Sequence, residues 1–140
     1  MFRLGIRLGV VAAVSVMLLT AGCSQAGFAS ATEALEAYVE GVATNDPEML
    51  EAATGKPWAL EDITAERKAQ FGQEGTLTVV SVDAHVQRDV GPGGNQALAT
   101  CLVKTNPPAP TDTGAGGSPI GLVLEEDRGK WTVVYSLPRK

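Results

Sequence analysis

Asp83-x-His85 is the sharpest chemistry-bearing pair in this chain of 140 residues. Residues i and i+2 of a strand share a face, so the carboxylate can orient the imidazole as a general base. That face also carries Ser81 and Gln87, and it lies opposite Val80, Val82, Ala84 and Val86, the set expected to meet a core. The pair therefore reads first as a solvated strand face. Tyr38 is the second candidate: on a cavity-lining helix its phenol can donate a hydrogen bond, and otherwise it is a core tyrosine with its hydroxyl at the rim. Trp131 and Tyr135 alternate onto one face of a late strand and read as core or pocket wall. No set of residues matches a specific enzymatic motif, so no catalytic residue is assigned.

Metal and cofactor chemistry find little support. The chain has one His and two Cys, Cys23 and Cys101, with no cluster at ligand spacing. Gly91–Gly94 lies between two expected strands and does not open a helix, so it is not a phosphate cradle. No cofactor is expected. Cys101 has no adjacent basic residue or His to lower its pKa, which marks it as an inert thiol buried in a strand.

Cys23 is a different case. Arg3 and Arg7 begin the chain, and Leu8 to Leu19 is uncharged and apolar. That run is shorter than the about 20 residues a bilayer span needs and matches a signal-peptide core. Ala21 and Gly22 supply the small residues required before a cleavage point, and Cys23 follows them. Leu19-Thr20-Ala21-Gly22-Cys23 resembles the lipobox of bacterial lipoproteins, with Thr20 where many members carry a larger aliphatic residue. The resemblance implies a diacylglyceryl thioether on Cys23, cleavage before it, and a place on the extracytoplasmic face of the cell membrane. An ordinary secretory signal and an uncleaved membrane helix are the alternatives. Gly5, Gly9, Ser15 and Thr20 weaken the helix and Arg7 interrupts it.

Removal of residues 1–22 leaves 118 residues, enough for one domain, and moves the formal net charge from −5 to −7. Such an acidic chain argues against nucleic acid and against an electrostatic grip on anionic lipid. Residues 23–29 then form a tether reaching roughly 20 Å, and residues 30–140 form a single domain.

Within that domain Ser30-Ala31-Thr32-Glu33 reads as a capping box, and Leu35, Tyr38, Val39 and Val42 give one apolar helix face ending near Thr44. Asp46 caps a second helix with Pro47 at its first position, Met49, Leu50 and Ala53 on its apolar side, and Gly55 at its stop. Pro57 to Phe71 holds a third, with Trp58, Leu60, Ile63 and Phe71 expected inside and Glu61, Asp62, Glu66, Arg67 and Lys68 in water. After Gly75 the period becomes alternating. Strands are expected over Thr76–Val90, Ala97–Thr105 and Ile120–Glu126, with a last strand after the Asp127-Arg128-Gly129-Lys130 turn. Asn106 to Pro119 reads as a long loop, a flexible hairpin tip without partner-binding anchors.

Helices followed by a run of hairpin-joined strands define an α+β domain, with N-terminal helices packed on a curved antiparallel sheet. The element order and the closing Gly129-Lys130-Trp131-Thr132-Val133 hairpin resemble the NTF2-like (SnoaL-like) superfamily, and a cystatin-like cone fits nearly as well. The resemblance implies a cavity between helices and sheet, beside which Tyr38, Asp83, His85, Trp131 and Tyr135 are the site candidates. Three functions remain open. One is a membrane-anchored, non-enzymatic module binding a small apolar ligand or a protein partner. Another is a small cavity enzyme of the ketosteroid-isomerase kind, requiring Asp83 with His85, or Tyr38 with a carboxylate, within one pocket. The last is a domain forming a homodimer through its exposed sheet face.

Overall fold

The computed structural model describes residues 26–88, 95–110, 112 and 116–136, the last two of these by backbone alone. Cys23, the leader and the Gly91–Gly94 turn lie outside them. Three helices pack on one face of a four-stranded antiparallel sheet in the order β1-β2-β3-β4. Helices α1 (Ala31–Thr44), α2 (Pro47–Thr54) and α3 (Leu60–Phe71) precede β1 (Thr78–Arg88), β2 (Gln96–Asn106), β3 (Ser118–Asp127) and β4 (Lys130–Ser136). None of the described helices is long and apolar enough to cross a membrane.

The helix ends follow the chemistry of their caps. Ser30 Oγ accepts from the Glu33 amide at 3.1 Å, and Asp46 Oδ1 accepts from the amides of Glu48 and Met49, each at 3.1 Å. These bonds satisfy donors that a helix N-terminus otherwise leaves open. Between α1 and α2 the backbones come close. A Cβ on Gly41 would sit 2.7 Å from Leu50 Cγ, so the crossing requires a residue without a side chain.

Inward-facing residues alternate along the sheet: Ala97, Ala99, Cys101 and Val103 on β2, Ile120, Leu122 and Leu124 on β3, Trp131 and Val133 on β4. They meet Leu35, Val39 and Val42 of α1, Leu50 and Ala53 of α2, and Ile63 and Phe71 of α3 in one core. In the turn from β3 to β4, Arg128 and Gly129 both have positive φ (54° and 80°), the combination a two-residue hairpin needs.

The N-terminal segment is part of this layer. Phe28 and Trp131 exchange backbone hydrogen bonds of 3.0 and 2.8 Å, which covers part of the edge strand β4. Gly27 makes the approach possible: its φ is +114°, and a Cβ there would meet the Trp131 carbonyl oxygen at 2.9 Å.

Several expectations are corrected. The register shifts between Val79 and Ser81, which leaves Val80 as a bulge residue, 60% exposed, while Val79 joins Val82, Ala84 and Val86 against the core. Leu60 is 61% exposed because it opens α3 on the solvent side, and Trp58 precedes the helix, half-buried. Arg67 is 1% exposed, although its charge suggested a solvated surface. Strand β3 starts at Ser118, inside the stretch expected to be loop.

Candidate functional site: the Tyr38–Glu66–Trp58 cleft

The inward stripe of α3 is set by Ile63 and Phe71, eight residues apart, and the same stripe contains Arg67 and Gln70. Each polar member finds its own partners. Arg67 donates to the Val42 carbonyl at 3.2 Å, to Asn45 Oδ1, and through Nε to the Glu74 carbonyl at 3.1 Å. Val42 lies in the last turn of α1, where carbonyls lack helical partners and the helix dipole favours a cation. Burial pushes the Arg67 pKa down, yet its hydrogen bonds run to neutral oxygens that favour the charged form.

The residue before Arg67, Glu66, faces α1. Tyr38, 3% exposed, donates its hydroxyl to Glu66 Oε1, and Gln70 Nε2 donates to the same oxygen at 3.0 Å. Gln70 Oε1 is buried and has no hydrogen-bond partner among the described residues. Trp58 stands edge-on to Tyr38, with ring centroids 6.4 Å apart and an interplanar angle of 67°. Its indole N–H donates to Thr54 Oγ1 at 2.9 Å, and Thr54 in turn donates to the Leu50 carbonyl at 2.6 Å. Lys56 Nζ lies 5.5 Å from the centre of the Trp58 ring, within range of a cation–π contact.

These side chains border two cavities that share Lys56, Trp58 and Glu66. One, of about 190 Å³ and partly open to solvent, is also lined by Tyr38, Thr54, Val133 and Val134. The other, of about 550 Å³, is bordered by Pro57, Asp62, Ala65 and Ala69. The arrangement offers two aromatic rings, a carboxylate held by two donors, one ammonium and a short apolar wall. It can hold a small molecule with an apolar body and a polar end.

Tyr38 is the sequence candidate that lines this cleft. Asp83 and His85 are exposed on the opposite face of the sheet, paired with Leu102 and Thr100. Half-buried Leu98, Leu102 and Val123 lie on that face with them. Trp131 is 4% exposed, with the Arg88 guanidinium 5.7 Å from its ring centre, and belongs to the core. The Tyr135 backbone pairs with Val123, and its side chain lies outside the described set, as does Cys23. Cys101 is free and buried, and its thiol is pushed up to about 12 by burial. Glu66, Gln70, Lys56, Thr54 and Trp58 are the site residues the sequence reading missed, Trp58 having been expected only as a buried residue of the third helix. For Glu66 and Gln70 the available signal was the Ile63–Phe71 spacing.

No family model matches this chain, and no curated protein or solved structure matches it.

Proposed function

We propose that this chain is a bacterial lipoprotein held through Cys23 at the extracytoplasmic face of the cell membrane. Its α+β domain is a non-enzymatic, NTF2-like module that binds a small, largely apolar ligand in the Tyr38–Glu66–Trp58 cleft. The anchor rests on Leu19-Thr20-Ala21-Gly22-Cys23 after its basic start and apolar run. Support for the NTF2-like reading comes from three helices followed by a meander that ends in the Gly129-x-Trp131-x-Val133 hairpin. The observation that carries the binding reading is the Glu66 carboxylate, held by Tyr38 and Gln70 in a cleft walled by aromatic rings.

The same pair favours a second reading, a cavity enzyme, because a phenol and a carboxylate in hydrogen-bond contact form an acid–base couple. One experiment tests both. Wild type and Trp58→Ala are melted with a panel of small apolar ligands, and each ligand is recovered and chromatographed. Binding predicts a rise in Tm that continues with ligand concentration for at least one compound, equivalent to about 2.7 kcal/mol of stability at a hundred times its Kd, and absent in the variant. Recovered compound is unchanged on this reading. A converted compound transfers the cleft to the enzyme reading, and a panel without effect contradicts both.

A further inference from the structure

The point where the anchor leaves the fold is beside the cleft. Gly27 and Phe28 are fixed on Trp131 by the close approach and backbone pairing described above. Ala26 lies against the end of α2, where a Cβ on Gly55 would stand 4.0 Å from the Ala26 Cβ. The next residue, Lys56, borders both cavities. Only three residue steps separate Ala26 from Cys23, a reach of about 10 Å at full extension. The headgroup layer is itself roughly 5–7 Å deep on each side of the hydrocarbon. A lipid on Cys23 therefore holds Ala26 within about 10 Å of the anchored residue, close enough for the Lys56 rim beside it to reach the phospholipid headgroups.

The charges along that rim are mixed. Lys56 supplies a cation, and Glu66 and Asp62 supply carboxylates. The Trp58 ring already accommodates an ammonium, that of Lys56. A free anion or a purely apolar molecule uses only part of this set. A zwitterionic head uses all of it: its phosphate draws Lys56 off the Trp58 ring, and its ammonium takes that place beside Glu66.

We propose that the cleft takes the amine-bearing, zwitterionic headgroup of a phospholipid from the bilayer to which the protein is anchored. This rests on the lipoprotein reading and on the cleft being a binding site, and it replaces the largely apolar ligand proposed above by a charged head whose acyl chains stay in the bilayer.

The test uses the full lipidated chain in phosphatidylglycerol vesicles containing increasing fractions of phosphatidylethanolamine, read by tryptophan emission. A saturable change is expected in wild type. Trp58→Phe, which keeps an aromatic ring, should lose the signal. Glu66→Gln and Lys56→Gln should each need about ten-fold more phosphatidylethanolamine, since each removes a charge-assisted contact. Lys56 is exposed, so its variant keeps the test informative if Glu66→Gln fails to fold.

No response in wild type, or equal titrations in wild type and in both folded variants, overturns the proposal. Soluble phosphoethanolamine is the control for source. Binding at least ten-fold weaker than that of the lipid supports delivery from the bilayer, and equal binding overturns it. Intact mass and vesicle sedimentation of the same samples separate the two levels. An unlipidated chain left in the supernatant fails the anchor reading. A lipidated, sedimenting chain without a titration fails the headgroup proposal alone.

Discussion

Tyr38 and Glu66, 28 residues apart, meet through a hydrogen bond from the phenol of α1 to the carboxylate of α3. The bond ties the first helix to the third, and both residues border the smaller cavity. Tyr38→Phe removes the donor and leaves a half-buried carboxylate with Gln70 still attached. We expect a loss of about 1–2 kcal/mol in denaturant unfolding. A double-mutant cycle with Glu66→Gln should give a coupling near 1 kcal/mol, and additive losses would mean that the contact contributes nothing.

Arg67 should be the most sensitive polar position in the helical layer. Methionine fills a similar volume but leaves the Val42 and Glu74 carbonyls and the Asn45 side chain without their donor. Arg67→Met should destabilise by about 2–4 kcal/mol, and Arg67→Lys should recover only part of it, because one ammonium cannot span the same acceptors. Chemical denaturation of the three proteins gives the order directly. A variant as stable as wild type would contradict the assigned role.

This position also marks where the sequence stopped being legible. The capped ends and apolar face of α1 were readable because they are local, and so was the alternating burial of β2. On α3 the buried stripe is half polar. Charge suggested water for Arg67 and Glu66, whereas their partners include α1 residues 25 and 28 positions away in sequence and the Glu74 carbonyl seven positions on. The Ile63–Phe71 spacing did point inward at 67 and 70. Val80 misled for another reason: a bulge arises from pairing between β1 and β2, and nothing in the run Val79-Val80-Ser81 fixes it. Of the cleft, Tyr38 was found from its helix face, and Glu66 was placed on the wrong side.

Cys101 should behave as a core residue. Its thiol is raised from 9.0 to about 12 in the fold. Between those values the unfolded chain has lost the proton that the native chain keeps, so stability falls as pH rises. Below pH 9 both states hold the proton and the contribution is flat. The slope for one such group is about 1.4 kcal/mol per pH unit. Unfolding of wild type and Cys101→Ala at pH 8 and pH 10.5 should therefore show wild type losing about 2 kcal/mol more than the variant. Equal losses would place the thiol in contact with solvent.

Gly41 tests the packing that brings Trp58 to Tyr38. An added methyl overlaps Leu50 at 2.7 Å and must push α2 away from α1. Gly41→Ala should cost about 1–3 kcal/mol despite the better helix propensity of alanine. In a binding assay it should also weaken ligand, because the Thr54–Trp58 bond hangs on the end of α2. Gain in stability, as at an open helical position, would contradict the crossing.

The anchor is the claim on which location, orientation and ligand source depend, and intact mass with membrane fractionation tests it most directly. The measurement is made on the native protein and on Cys23→Ala. The account predicts a chain that begins at Cys23, carries a lipid-sized mass increment and sediments with membranes, whereas the variant lacks the increment and is released. An unmodified, soluble native chain would contradict it and free Cys23 as a thiol, and the argument that ties the cleft to the bilayer would fall with it.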